Sequence, residues 1–241
     1  MNTKEHYQNH LGNFYSWMLG DFEQQQKEQE TYFTRNGISP HTGKIALDLG
    51  AGNGIQSVAL AKLGFRVKAM DFCNRLTEEL THNSNGLDIE VINCDFTDAN
   101  ELSKFTPEVV VCMGDTITHL ESVEKMNDFL RNIYRFSEEN ALVIISFRDL
   151  TKELTGEHRF IPVKSDENRI HTCFLEYFPE WVRVTDLLHE RIGGSWTQKI
   201  SSYQKLRLNT EMLRNIFARN NFVLRDMELI KGLNYLIFQK K

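Results

Sequence analysis

The apolar positions between residues 44 and 150 alternate between two patterns, short continuous runs and stripes at helical spacing. The runs predict buried strands, and the stripes predict helices that cover them. Strands that alternate with helices through short loops are typical of a parallel sheet with ligands at the carboxyl ends of its strands. The pattern therefore predicts an α/β, doubly wound fold. The predicted strands are 44–49, 66–71, 89–94, 107–113 and 140–147, and the predicted helices are 54–63, 73–83, 98–104 and 122–136.

After residue 150 the pattern changes to stretches rich in β-branched and aromatic residues, separated by turn sequences such as Gly193-Gly194. Such stretches predict an antiparallel β meander inserted into the α/β order. The chain then returns to a helix, which Thr210 can cap, and to two closing strands. The predicted strands of the meander are 159–164, 170–178, 181–190 and 196–206, and the closing strands are 222–229 and 234–239.

Residues 1–36 precede the sheet, and their pattern predicts helices. Gly20 interrupts the apolar positions, and Asp21 is placed to cap a polar helix that runs to Arg35. Before that interruption, one unusually aromatic stripe contains Tyr7, Leu11, Phe14, Tyr15 and Met18.

Composition narrows the class of protein. The 241 residues, of which 41% are hydrophobic, fit one α/β domain with an embellishment. A net charge of -5 without any basic run argues against a nucleic-acid partner. No apolar run has transmembrane length and residues 1–10 are too polar for a signal peptide, so we expect a cytoplasmic protein without a membrane partner. The four cysteines show no C-x-x-C pairing, so we expect free thiols and no metal site, while assembly into a homo-oligomer stays open.

The first predicted strand runs into the sequence D-L-G-A-G-N-G, residues 48–54, directly before a helix. Glycines at such a turn let the backbone bend sharply and approach a ligand closely. The dinucleotide fingerprint G-x-G-x-x-G requires a glycine where Ile55 stands, and the Gly-Lys-Ser/Thr ending of a phosphate-binding P-loop is absent. The turn therefore predicts a nucleotide-like ligand of another kind.

Three further strands carry matching residues at their tips. The second ends in Asp71, the third in Asp95-Phe96, and the fourth runs into Gly114. With the glycine turn, these tips resemble class I S-adenosylmethionine-dependent methyltransferases. The resemblance implies S-adenosylmethionine as cofactor and S-adenosylhomocysteine as product, with Asp71 on the ribose and Asp95 on the adenine. The cofactor contacts that it implies are Tyr15, Asp48, Gly50, Gly52, Asn53, Gly54, Asp71, Phe72, Asp95, Phe96, Met113 and Gly114.

The resemblance also implies a Rossmann-like, seven-stranded, mostly parallel sheet whose last strand is antiparallel. Residues 1–43 would form an N-terminal helical lid over the cofactor. Residues 44–150 and 207–241 would form the cofactor-binding core, and the meander at 151–206 would cover the acceptor.

Residues 112–149 are similar to glycine and sarcosine N-methyltransferases, which read Cys-x-Gly-Asn-Ser-x-x-His-Leu after the fourth strand and have an arginine after the fifth. Gly114 and His119 match that pattern, and Arg148 matches the arginine that holds the substrate carboxylate. Asp115 replaces the family's asparagine, and an acid there favours a positively charged or hydroxylated acceptor over an anionic one. The implied catalytic residues are His119, Arg148 and Tyr7, and the implied acceptor contacts are Asp115, Arg148 and Tyr203.

The residues leave several alternatives open. The tyrosines of the N-terminal stripe can pack on the sheet, His119 can be structural, and Arg148 can pair with Asp115 or Asp149. We expect methyl transfer to a small-molecule acceptor, with an amine or amino-acid nitrogen favoured. An O-methyltransferase acting on a small metabolite and a non-catalytic S-adenosylmethionine-binding subunit are the alternatives, whereas Ile55 disfavours an oxidoreductase.

Overall fold

The computed structural model describes residues 2–41 and 43–241. The strands are β1 (Ile45–Leu49), β2 (Arg66–Asp71), β3 (Ile89–Asn93), β4 (Val109–Cys112), β5 (Leu142–Phe147), β6 (Phe160–Ser165), β7 (Arg169–Tyr177), β8 (Trp181–Ile192), β9 (Ser195–Leu206), β10 (Phe222–Ile230) and β11 (Leu233–Lys240). The helices are α1 (Thr3–Asn9), α2 (Tyr15–Leu19), α3 (Phe22–Arg35), α4 (Ile55–Lys62), α5 (Asn74–Asn83), α6 (Ala99–Leu102), α7 (Val123–Phe136) and α8 (Thr210–Arg219).

Seven of the described strands form the central sheet, in the order β10-β11-β5-β4-β1-β2-β3. β1 pairs in parallel with both β2 and β4, whereas β11 is antiparallel to its neighbours β5 and β10. The strand order therefore reverses at β1, where α/β sheets open a crevice beyond the strand ends. The predicted α/β fold, with its mostly parallel sheet and antiparallel last strand, is confirmed.

Helices bury apolar residues against both faces of this sheet. On one face Phe217 of α8 stacks on Phe238 of β11 with ring centroids 3.9 Å apart. On the other face Phe33 of α3 and Phe65 are fully buried beside Leu60 of α4. Because β4 is buried on both faces, its sequence is a continuous apolar run rather than an alternating one.

Helix caps explain where two of the helices begin. Ser122 caps α7, and its hydroxyl accepts a hydrogen bond from Lys125 N. For α8 the expected cap was wrong by one residue. Asn209 is the extended residue whose side chain accepts from Met212 N at 2.9 Å, whereas Thr210 already lies inside the helix.

The N-terminal stripe forms short pieces rather than one helix. A 3₁₀ turn at Leu11–Asn13 separates α1 from α2, because His10 leaves helical backbone geometry. Leu11 and Phe14 pack against Leu188 of β8. Part of the stripe therefore packs on a second sheet, which strands β6 to β9 form. Asp21 caps α3 as expected, since Gln24 N donates to its carboxylate at 2.9 Å.

The strands β6 to β9 form a separate antiparallel sheet in chain order, which confirms the predicted meander. Its register places Cys173 of β7 opposite Asp186 of β8. α1 packs on β9, where the ring of His6 stacks on Tyr203 with centroids 4.3 Å apart. None of the helices formed by the described residues is long and apolar enough to span a membrane.

Candidate active site

The turn between β1 and α4 has no room for side chains at its glycines. Gly50 and Gly54 have positive φ angles of 72° and 95°. A Cβ at Gly50 would overlap Thr116, and one at Gly54 would lie 2.9 Å from the side chain of Leu80. Positive φ is a conformation that glycine adopts without strain, so the sequence has glycine here for both backbone and space.

Asp71, at the tip of β2, is tied to this turn. Its Oδ2 accepts the N–H of Gly52 at 2.9 Å, and its Oδ1 accepts the N–H of Cys73 at 2.8 Å. Burial raises the pKa of Asp71, and these backbone hydrogen bonds act in the opposite direction. A carboxylate oxygen can accept two hydrogen bonds, so each oxygen of this fixed carboxylate can still meet one hydroxyl.

Asp48 lies in β1 and is buried. Its Oδ2 accepts the hydroxyl of Ser57 in α4 at 2.6 Å. Burial raises the pKa of Asp48 to about 7, because water no longer stabilises the charged form. The side chain therefore joins the first strand to the helix after the glycine turn, and its predicted contact with the cofactor stays a prediction.

The N-terminal segment is fastened over the strand tips at two points. Gln8 donates to the carbonyl oxygen of Phe72 at 2.6 Å. Asn53 donates to the hydroxyl of Ser16 at 3.0 Å, and Ser16 donates in turn to Glu79. Residues 2–16 thus lie across the ends of β1 and β2, and their role as a lid stays a prediction.

Tyr15 packs directly on the glycine turn, with its ring 3.3 Å from the position that a Cβ of Gly52 would take. Burial raises the pKa of Tyr15, so its hydroxyl keeps its proton at neutral pH. Tyr15 therefore lies beside the glycine turn, and its predicted contact with the cofactor stays a prediction.

Tyr7, His119 and Tyr203 meet beside this turn. The Tyr7 hydroxyl lies 3.3 Å from His119 Nε2, and the rings of His119 and Tyr203 are 5.5 Å apart between centroids. Burial, together with a smaller effect of the nearby Lys205 charge, lowers the pKa of His119 to about 3. The imidazole is therefore neutral at physiological pH, which makes it a hydrogen-bonding group rather than a cation.

Arg148 and Asp115 form one of the ion pairs that the sequence left open. Lys205 Nζ donates to Asp115 Oδ2 at 2.9 Å, and Arg148 binds the same carboxylate through Nη1 and its backbone N–H. Burial alone raises the pKa of Asp115, but Lys205 and Arg148 outweigh it and hold the pKa below its usual range. Two cations already compensate the charge of this carboxylate, and the expectation that Asp115 favours a positively charged or hydroxylated acceptor stays a prediction.

A cavity of about 1070 Å³ lies between α1, α7, the tips of β2 and β3, and the second sheet. Asp95 and Phe96 line it on one side, and His119, Tyr203 and Lys205 line it on the other. Phe96 is buried edge-on to Phe129, whereas Asp95 is exposed and accepts from Thr97. One cavity thus joins the residues predicted for adenine to those predicted for the acceptor.

The fourth strand tip is held by the neighbouring strand β5. Gly114 is exposed with φ 71°, and its N–H donates to Ser146 Oγ at 2.8 Å, while Met113 beside it is buried. The sequence argument missed Lys205. Its signal was present, because Lys205 follows Tyr203 by two positions on β9, and alternate residues of a strand share a face.

Residues 46–140 match the family described as a methyltransferase domain. The matched segment begins in β1 and ends before β5, so it contains the glycine turn and the acids at the tips of β2 and β3.

Two curated relatives match part of the chain. The cypemycin N-terminal methyltransferase of Streptomyces sp is 31% identical over 110 residues, which cover 46% of this chain and 44% of that protein. The glycine/sarcosine N-methyltransferase of Aphanothece halophytica is 24% identical over 151 residues, which cover 60% of this chain and 56% of that protein. The chain spans about half the length of the curated relatives it matches.

A solved structure shares the fold over almost the whole chain. It is CalS10 of Micromonospora echinaspora, described as an amino pentose methyltransferase with bound S-adenosylmethionine. The TM-score is 0.72 at 12% identity, with 90% of this chain and 92% of that chain covered. The matched domain and the shared fold confirm the resemblance drawn from the glycine turn and the strand tips.

Proposed function

We propose that this chain, whose matched methyltransferase domain and fold resemble those of class I S-adenosylmethionine-dependent methyltransferases, binds S-adenosylmethionine and methylates a nitrogen of a small-molecule acceptor. The observation that carries the proposal is the Asp71 carboxylate, which the backbone of the glycine turn holds at the tip of β2. A carboxylate fixed there is suited to a pair of ribose hydroxyls.

The residues around the turn fit the cofactor. The turn carries no Cβ at Gly50, Gly52 and Gly54, which supports a close approach of a ligand to its backbone. Phe96 offers an apolar surface for an adenine ring beside the carboxylate of Asp95. S-adenosylmethionine supplies a methyl group on a positively charged sulfur, together with its leaving group.

The closed shape of the site favours a small acceptor. The lid, residues 1–43, and the inserted sheet, residues 151–206, would enclose the acceptor between them, because Tyr7 and Tyr203 both contact His119 and their ring centroids are 6.3 Å apart. We therefore expect no nucleic-acid partner. The name of the glycine/sarcosine N-methyltransferase describes methylation at nitrogen, which supports the same acceptor atom here.

Methylation at nitrogen requires an uncharged amine, because its lone pair forms the new bond to carbon as the carbon–sulfur bond breaks. The product ammonium then loses its proton to water. A neutral His119 offers one donor and one acceptor nitrogen, so it can orient such an amine through a hydrogen bond without repelling or protonating it. The lid excludes water, and orientation supplies most of the acceleration.

Arg148 is the proposed anchor for an acceptor carboxylate. Its side chain is 56% exposed, and its side-chain contact with Asp115 uses Nη1. A guanidinium carries five N–H donors, so donors remain for a second carboxylate. In this proposal Asp115 acts by positioning Arg148 and Lys205 rather than by touching the acceptor.

A product screen tests the acceptor atom. The protein is incubated with S-adenosylmethionine and with amines and amino acids, each paired with its hydroxy analogue, and S-adenosylhomocysteine formation and product fragmentation are measured. We expect methylation of the amines at nitrogen and none of the hydroxy analogues. Methylation of the hydroxy analogues alone would show an oxygen acceptor and overturn the proposal. Asp71→Ala is the control variant, which shows whether the measured signal depends on the proposed cofactor site.

A further inference from the structure

A second cluster of buried chemical groups lies on the inserted sheet, away from the glycine turn. His171 and Cys173 are two residues apart on β7 and share a face, and Asp186 stands opposite Cys173 on β8. Within the described residues, one ligand atom from each of these three side chains lies within 4.8 Å of the other two. His171 and Asp186 are each only 1% exposed.

The separations among these atoms are those of ligands around one ion. Asp186 Oδ1 is 3.1 Å from His171 Nε2 and 3.0 Å from Cys173 Sγ, and Cys173 Sγ is 3.7 Å from His171 Nε2. A tetrahedral zinc ion with bonds of about 2.0–2.3 Å separates its nitrogen, oxygen and sulfur ligands by about 3.3–3.6 Å. The three atoms therefore need to move by only a few tenths of an ångström to bind such an ion.

Charge balance points the same way. Imidazole and thiolate ligands together suit zinc-type ions rather than magnesium or calcium. A divalent ion bound by a carboxylate, a thiolate and neutral imidazole gives a group with no net charge, which a buried site can hold. Burial raises the pKa of the Cys173 thiol in the protein alone, and a coordinating metal removes that proton outright.

His6 of α1 reaches the same carboxylate from the other side. Its Nε2 lies 3.0 Å from Asp186 Oδ2, without the direction of a good hydrogen bond, and neither atom has another hydrogen-bond partner among the described residues. The other ring nitrogen of His6 is 2.8 Å from Ser201 Oγ. Ser201 thus orients the His6 ring towards Asp186, as groups that orient a metal ligand do.

We propose that His171, Cys173 and Asp186 bind a divalent zinc-type ion, and that His6 of the N-terminal segment supports this site by holding the Asp186 carboxylate. His6 precedes Tyr7, whose hydroxyl lies beside His119, so the metal would hold α1 in its closed position over the acceptor site. This departs from the expectation of free thiols without a metal, which rested on the missing C-x-x-C spacing. An H-x-C pair on one strand was the signal present in the sequence.

Cobalt titration of the tag-free protein after chelator treatment tests the proposal independently of any methyl transfer. We expect one equivalent of Co²⁺ to bind with a thiolate-to-metal charge-transfer band in the near ultraviolet, and Zn²⁺ to displace it. Cys173→Ser should lose the band, while Cys94→Ser, which removes a half-buried free thiol elsewhere, should retain it.

His6→Gln separates the tether from the metal ligands. It should keep the cobalt band but weaken Zn²⁺ binding by about 10–100-fold, as expected for a group that supports a ligand. His171→Gln provides a second ligand variant if Cys173→Ser does not fold, and it should abolish stoichiometric Zn²⁺ binding. The proposal is overturned if saturating Co²⁺ produces no band in the wild-type protein, or if the band survives in Cys173→Ser or Zn²⁺ binding survives in His171→Gln.

Discussion

Replacing Asp71 with alanine tests the cofactor site most sharply, because this carboxylate serves both the fold and the proposed ligand. In the protein alone it accepts the N–H groups of Gly52 and Cys73 at 2.9 and 2.8 Å. Each buried donor left without an acceptor costs about 1–3 kcal/mol. Asp71→Ala should therefore lower the free energy of unfolding by about 2–6 kcal/mol, as measured by urea denaturation.

Cofactor affinity should fall as well. Two ribose hydroxyls lose their buried acceptor, which we expect to weaken S-adenosylmethionine binding by about 1–3 kcal/mol, or about 5–150-fold in Kd. Isothermal titration calorimetry measures this, under conditions in which denaturation shows the variant to be folded. Asp88→Ala is the matched control, because Asp88 is an exposed acid before β3, at the opposite end of that strand from the proposed site. Unchanged S-adenosylmethionine affinity in folded Asp71→Ala would refute the ribose assignment.

Three other substitutions test further parts of the site. Arg148→Met should raise the KM of a carboxylate-bearing acceptor by about 10-fold or more while leaving cofactor affinity unchanged, because one charge-assisted contact is lost. Steady-state kinetics measure this KM, with the exposed Arg191→Met as the control variant. An unchanged KM in Arg148→Met would show that the assignment is wrong. Tyr7→Phe removes the hydroxyl that lies 3.3 Å from His119, and should lower kcat about 5-fold without altering the melting temperature by more than a few degrees. A kcat for Tyr7→Phe equal to that of the wild type would show that this contact does not assist the reaction. For Asp48, burial raises the folded-state pKa to about 7, so its contribution to stability is present below pH 4 and is lost as the pH rises through 7. Asp48→Asn should remove that decline, worth at most about 4 kcal/mol between pH 4 and 8, and denaturation curves that stay parallel to those of the wild type would contradict the assignment.

Local sequence signals predicted most of the fold. The apolar runs placed β1 to β5 within two residues of their observed bounds, because a strand buried on both faces must be continuously apolar. The cap of α8 was placed one residue late, since Asn209 and Thr210 are both good capping residues and only the backbone shows which one is extended. The N-terminal stripe was predicted as helical, but its division into short pieces follows from packing on the second sheet.

Site residues were predictable from the sequence only where their position at the tip of a single strand was enough to indicate their role. The strand–turn–helix pattern was enough to predict Asp71 and the glycines as site residues, and the structure places them together. Lys205 lies 90 residues after Asp115, and their ion pair depends on how the inserted sheet folds back over the strand tips. The same holds for His6, which meets Asp186 across 180 positions that no local pattern relates.

The central claim is that the glycine turn and Asp71 form an S-adenosylmethionine site. Calorimetric titration of the protein with S-adenosylmethionine, S-adenosylhomocysteine and NAD in parallel tests it most directly. The account predicts saturable binding of the first two and none of NAD, because Ile55 stands where a dinucleotide site needs glycine. Binding of NAD alone, or of none of the three, would contradict it.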